Sequence, residues 1–153
     1  MSARLCLDSN ILVYFVDFTE PHKRAQAAEI MRAASTSNCV LGLQSMGEFY
    51  GAVTRHKILT PADAAKEIGW LLTVFATFAA SEDAHRVAAR EAAAGRFSYW
   101  DTVLLASADE AGCEVLLSED MKDGAKLGGV TVRNPFGANG LTTAARAALG
   151  ITS

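Results

Sequence analysis

Short continuous apolar runs alternate along the chain with longer stretches in which apolar residues recur at helical spacing. Leu5-Cys6-Leu7 is the first run, and Asp8 ends it abruptly. Strands buried on both faces read as unbroken apolar runs, so this one is predicted to be a buried strand ending in a carboxylate. Residues 10–16 open a first helix. Pro21 starts the next, with Ala25, Ala28, Ile30, Met31 and Ala34 on its apolar face, and the polar residues 35–38 break it. Cys39-Val40-Leu41-Gly42-Leu43 repeats the strand signature and runs directly into helical spacing over residues 44–50.

Thr60-Pro61-Ala62-Asp63 is a helix start, with a capping threonine, proline in the first turn and an acid at the third position. Its helix is predicted to turn Ile68, Leu71 and Leu72 inward, and residues 74–79 fit either its last turns or a short strand. Ser81-Glu82-Asp83 opens an alanine-rich helix ended by Gly95. Ser98-Tyr99-Trp100-Asp101 opens another, with a buried body at Val103-Leu104-Leu105-Ala106 and its end at Gly112. Residues 114–117 form a strand closing on Ser118-Glu119-Asp120. Gly124, Gly128 and Gly129 mark a loop, residues 130–133 a last strand, and Asn134-Pro135 its stop. This order predicts a three-layer α/β sandwich with a mainly parallel central sheet over residues 1–136, followed by a linker and short helix in 137–153.

The length of 153 residues suits one domain, and a chain of that size buries about 70% of its unfolded surface. The 50% hydrophobic content supplies such a core. A net charge of -3 gives no cationic field to advertise nucleic acid, so a polyanionic substrate would require something local to offset repulsion. Cys6, Cys39 and Cys113 are odd in number and far apart, which points to neither a disulfide framework nor a zinc site. Asp8 interrupts any signal-peptide core, and the uncharged stretch 68–81 is shorter than the roughly 20 residues of a membrane span. The expectation is a soluble, reduced, cytoplasmic protein with no membrane partner.

Four acids fall at strand ends or helix starts: Asp8, Glu48, Asp101 and Asp120. Singly each has a structural reading. Asp8 suits a helix cap, Ser45 with Glu48 and Ser98 with Asp101 suit capping boxes, and Asp120 suits a turn. Collectively they mean more, because helices that follow parallel strands begin on one side of the sheet, and the ligand crevice of open parallel sheets lies beyond the strands' carboxyl ends. Carboxylates crowded there disfavour one another's ionised form. A hard divalent cation, Mg2+ or Mn2+, resolves the conflict with oxygen ligands and also offsets the negative charge that a phosphodiester would meet.

Leu7-Asp8-Ser9-Asn10-Ile11-Leu12, Ser45-Met46-Gly47-Glu48-Phe49, Tyr99-Trp100-Asp101-Thr102 and Leu117-Ser118-Glu119-Asp120-Met121 resemble, in order and spacing, the four acidic motifs of PIN-domain nucleases. The likeness is nearest to the VapC-type toxins of type II toxin-antitoxin systems and extends through Gly128-Gly129-Val130-Thr131-Val132-Arg133-Asn134-Pro135-Phe136. It implies a metal-dependent endoribonuclease in which Asp8, Glu48, Asp101 and Asp120 carry Mg2+ or Mn2+ directly or through waters. Asn10 and Ser118 would then orient carboxylates by hydrogen bonds, and Asp123 would be an outer acid or simply a turn residue beside Gly124. The resemblance further implies an RNA substrate, a homodimer, and inhibition by a cognate antitoxin whose tail fills a groove leading to the site.

Two other function classes stay open on the residues alone. One is a phosphatase or receiver-like domain with Asp8 as nucleophile, although Asn10 stands where the phosphatases carry a second aspartate. The other is a non-catalytic interaction module on the same fold. Among the remaining candidates, His22, His56 and His85 are expected to face solvent and Arg55-His56-Lys57 to be a solvated charge run or a phosphate contact. Phe15, Phe18, Phe49 and Tyr50 fit the core or a partner groove, and Trp100 is expected to pack rather than to stack on a base.

Overall fold

In the computed structural model, which describes residues 3–152, the run Leu5–Leu7 forms strand β1, completely buried on both faces. Asp8 caps helix α1 (Ser9–Val16), and α2 (Pro21–Ala34) follows with proline in its first turn. Strand β2 (Val40–Gly42) passes straight into α3 (Leu43–Arg55). Leu43, expected in the strand, therefore begins the helix and is 45% exposed. Gly42 sits where an added Cβ would meet the Leu104 and Phe78 side chains at 3.1–3.3 Å, a close approach that a side chain could occupy only if those neighbours moved by a few tenths of an ångström.

Thr60 caps α4 (Pro61–Val74) by accepting the Asp63 N–H. The ambiguous stretch after it is both things in turn, since the helix ends at Val74 and strand β3 covers Ala76–Phe78. Leu71 is buried but Leu72, expected inward, is 49% exposed, because the core-facing stripe of α4 is narrow and runs through Ala64 and Leu71. Ser81 and Ser98 cap α5 (Glu82–Ala93) and α6 (Tyr99–Glu110). After β4 (Val115–Leu117) the expected loop contains one more short strand, β5 (Lys126–Leu127), paired antiparallel with β6 (Val130–Arg133). A two-residue turn closes that hairpin, with Gly128 at a φ of 57° that its missing Cβ permits. Helix α7 (Thr143–Leu149) ends the chain.

Strands β1, β4, β6 and β5 form one sheet, with Cys6 opposite Leu116 and Leu116 opposite Val132 in parallel register. The parallel pair β2-β3 joins it through a single bridge from Leu5 to Cys39. Every strand but the β5 edge is parallel. From β1 the chain moves outward to β2 on one side and later returns to β4 on the other. The strand order thus reverses between β1 and β4, where an open α/β sheet places its ligand crevice.

Alternate residues of the strands face two cores. Leu5, Leu7 and Leu117 point toward α1, α2, α3, α4 and α7. Cys6, Leu116, Val130 and Val132 point toward α6. Seven consecutive residues of α6, Thr102 to Ala108, are buried because the sheet covers one side of the helix and α5 packs on the other. Helix α7 sets Ala145 and Leu149 into the first core, and Gln26 of α2 exchanges two hydrogen bonds with the backbone of Gly137. Among the described residues no helix is long and apolar enough to cross a membrane.

Candidate active site

Asp8 leaves β1 at the point where the strand order reverses. Its backbone is extended, so one carboxylate oxygen turns back to accept the Ser9 N–H at 2.8 Å and caps α1. The other accepts the Ser118 hydroxyl at 2.7 Å, across from the end of β4. Asp8 is only 6% exposed. The structural reading and the chemical one are thus compatible, since the carboxylate that caps the helix also stands where the strand order reverses.

Ser118, fully buried, is the hub of this corner. It donates to Asp8 and accepts from the Asn10 side-chain amide at 3.3 Å and from the Asp120 N–H at 3.2 Å. The Asn10 amide also donates to Asp120 Oδ2 at 3.1 Å, while its carbonyl accepts the Glu119 N–H at 3.3 Å. Asn10 therefore binds α1 to both sides of the loop after β4 and fixes Asp120 relative to Asp8.

Glu48 and Asp101 arrive from α3 and α6. The capping box expected from Ser45 and Glu48 does not form, because α3 begins at Leu43 and places Ser45 inside the first turn. Glu48 is released to the cleft rim, where it lines a cavity of about 650 Å³ with Ser9 and Trp100. The buried Ser45 hydroxyl has no hydrogen-bond partner among the described residues. Asp101 sits in the first turn of α6, with its N–H capped by Ser98 at 3.3 Å. Gln44 donates to the Trp100 carbonyl at 3.0 Å and so ties the start of α3 to the start of α6.

Burial raises the Asp8 carboxyl above its ordinary range, Ser118 and Ser9 partly oppose that, and the charges of Asp120 and Asp101 add to it. Glu48 is raised as well, first by partial burial and then by Asp8, with Asp101 and Asp120 contributing. Asp8 and Glu48 thus both feel the charges of Asp101 and Asp120. No ion pair among the described residues reaches any of them. Nor do any three His, Cys, Asp or Glu side chains among those residues stand close enough together to hold a metal ion. The donor set consists of carboxylate, hydroxyl and amide oxygens around uncompensated negative charge, which fits a hard, partly hydrated divalent cation.

Asp123 is engaged elsewhere, accepting the Asn134 N–H at 2.9 Å at the end of β6. The sequence reading missed Glu119, whose carboxylate accepts the Tyr14 hydroxyl at 2.6 Å and pairs with Lys23. Lys23 in turn lies over the Phe136 ring, and Tyr14 meets Phe136 edge-on at 5.3 Å. No spacing rule links residues so far apart. The only available signal was that Glu119 lies between two residues already singled out.

Three further expectations change. Trp100, expected to pack, is 59% exposed. His85, expected in solvent, is half-buried with Nδ1 at 2.6 Å from the Tyr99 hydroxyl, because α5 lies against α6. The aromatic residues divide, with Phe49 in the core, Phe15 stacked on Trp70, and Phe18 72% exposed.

The sequence model of the PIN domain matches residues 5–122 of the chain. No curated relative matches at a significant level. Three solved structures share the fold. The Mycobacterium tuberculosis VapC20, a sarcin-ricin loop cleaving toxin, superposes with a TM-score of 0.61 at 13% identity, covering 76% of this chain and 91% of that one. A toxin-antitoxin complex from Klebsiella pneumoniae gives 0.61 at 18% identity, over 83% and 95%. The VapBC2 complex of Rickettsia felis, bound to a DNA fragment from its promoter, gives 0.61 at 13% identity, over 86% and 98%.

Proposed function

The chain belongs to the PIN domain family, and from that premise we propose that it is a metal-dependent endoribonuclease, the toxin of a toxin-antitoxin pair. The observation that supports this reading is that Asp8, at the reversal of strand order, and Glu48 both feel the charges of Asp101 and Asp120, while no ion pair among the described residues reaches any of the four. Asp8, Glu48, Asp101 and Asp120 would hold Mg2+ or Mn2+, directly or through waters. A divalent ion so bound supplies Lewis-acid polarisation of a phosphoryl oxygen and an activated water.

The protein's own groups do the rest. Ser118 and Asn10 hold Asp8 and Asp120 in fixed orientations, which spares the site from reorganising when a phosphodiester arrives. In this reading Asp8 would hold charge at the buried side of the site, and Glu48 and Asp101 at its more open side. The net charge of -3 makes approach of RNA unfavourable until the acids are neutralised, so substrate affinity is tied to the metal.

A cognate antitoxin is the proposed inhibitor. The reading is supported by neighbours of the same fold, two of which were solved as toxin-antitoxin assemblies. A homodimer and a cytoplasmic location, where RNA is the accessible substrate, complete the proposal.

The test is cleavage of total RNA by the purified chain with Mg2+ or Mn2+ and with chelator, alongside Asp8→Asn and Asp101→Asn. The expected outcome is metal-dependent cutting that both variants lose by at least about 100-fold while keeping a native circular dichroism spectrum. Wild-type cutting rates in both variants would refute the assignment.

A further inference from the structure

The 650 Å³ cavity beside Glu48 does not end at the acids. It continues along one face of α3, past Gly47 and Gly51 to Arg55, and the exposed indole of Trp100 forms its opposite wall. A large apolar ring 59% exposed to water next to a charged site loses hydrophobic stabilisation that packing would have gained. The ring is nevertheless held firmly. Tyr99 meets it edge-on at 5.3 Å, His85 edge-on at 6.1 Å, and Gln44 fixes its backbone.

The facing side of the cavity is equally informative. Gly47 and Gly51 lie inside a helix, where each is less favourable than alanine by about 1 kcal/mol. An added Cβ at either would meet nothing within 4 Å among the described residues beyond its chain neighbours and its own helix backbone, so no tertiary packing there accounts for them. Arg55 at the far end is exposed, and no carboxylate among the described residues pairs with it. The cleft therefore offers in sequence the Glu48 carboxylate, an open floor beside an exposed aromatic ring, and a cation.

We infer that this cleft is a subsite for one unpaired nucleotide flanking the scissile phosphate, with its base stacked on Trp100 and its outer phosphate held by Arg55. The inference rests on the ribonuclease reading above and adds to it that the substrate is single-stranded at this position. A base inside a duplex has both faces covered and cannot stack on an indole, whereas an unpaired base can, with little regard to its identity. The absent Cβ atoms at Gly47 and Gly51 leave the sugar-phosphate chain a path across α3.

A Trp70→Phe chain held in Ca2+ in place of Mg2+ or Mn2+ leaves Trp100 as the sole indole and keeps the acids neutralised without turnover. Short single-stranded oligoadenylate should quench its emission saturably, and a duplex of equal length should not. In the otherwise native chain, Trp100→Ala should raise both the Kd for the single strand and KM roughly ten-fold or more, with a smaller change in kcat, and Trp100→Phe should recover most of the loss. Gly51→Ala separates a binding role from a structural one. It should raise Tm by about 2–4 °C through better helix propensity, yet weaken binding of the same oligonucleotide.

If the wild-type chain cuts RNA while Trp100→Ala keeps its Kd and KM, the subsite is refuted and the ribonuclease reading survives. Emission that follows protein concentration rather than RNA would likewise refute it, by placing Trp100 in a contact between copies of the chain. If the wild-type chain neither binds nor cuts RNA with Mn2+, both readings fall together.

Discussion

A carboxylate 6% exposed, accepting two hydrogen bonds and facing other acids, is a compromise between fold and chemistry. Burial and the charges of Asp120 and Asp101 hold the Asp8 proton to higher pH than in the unfolded chain. Glu48 behaves alike, by burial and by Asp8. A carboxyl raised in the folded state contributes most below its unfolded value near 4, and that contribution is lost as pH climbs through the folded value. Metal-free protein should therefore melt at lower temperature as pH rises across and above the carboxylate range. The Asp8→Asn chain should show a shallower decline and, at pH 7 without metal, a Tm above wild type. Calorimetry across pH checks this. A metal-free wild type whose stability grows over that window would mean that the hydrogen bonds from Ser118 and Ser9 outweigh burial.

Each acid reaches the cleft because of where an element begins. α3 starts one residue after a glycine at which a side chain would crowd Leu104 and Phe78, and that start sets the rotation bringing Glu48 and the Gly47, Gly51 and Arg55 face to the cavity. The loop after β4 is held differently, by Asn10 on its backbone and by Tyr14 and Lys23 on the Glu119 carboxylate. The Lys23 and Glu119 side chains are 30% and 25% exposed, so solvent screens the pair only in part. Tyr14→Phe and Lys23→Met should each destabilise by about 1 kcal/mol, and the double variant by less than their sum, because both act on one acceptor. Their shared effect on activity should follow the mobility of Asp120, and a double-mutant cycle by urea unfolding measures the stability coupling. At the other end of the chain, Leu149 of α7 is 3% exposed and lies in the same core as β1 and α2. Leu149→Ala should lower stability by about 2–4 kcal/mol, as for any core leucine, and thermal melting would register a single shifted transition.

For the molecule as a whole, the hydrophobic pattern carried the layer order, since continuous apolar runs at residues 5–7 and 115–117 can only be strands covered on both faces. The acids at the ends of those runs were legible for the same reason, because the boundary between burial and solvent is where the crevice must open. Register and rotation were not legible. Leu72 and Trp100 are apolar residues that the tertiary arrangement turns outward, and β5 is a two-residue strand that exists only because β6 is beside it. The bonds from Asn10 to Ser118 and from Tyr14 to Glu119 join positions more than 100 residues apart and have no local signature. Net charge, by contrast, pointed away from nucleic acid until the site was assembled. At -3, and with Asp120 and Asp101 adding to the burial that raises Asp8, the protein carries a local repulsion that a bound cation would relieve. Any ion that binds the folded state alone stabilises it by mass action, about 2.7 kcal/mol at 100 times its Kd. Titration with Mn2+ or Mg2+ should therefore raise Tm by several degrees with saturation, chelator should reverse it, and Asp8→Asn or Asp120→Asn should remove most of the rise. Calcium, larger and held in looser geometry, should stabilise without supporting cleavage. A flat titration in all three metals would remove the physical reason for placing four acids around one opening, and with it the case for metal-assisted chemistry in this chain.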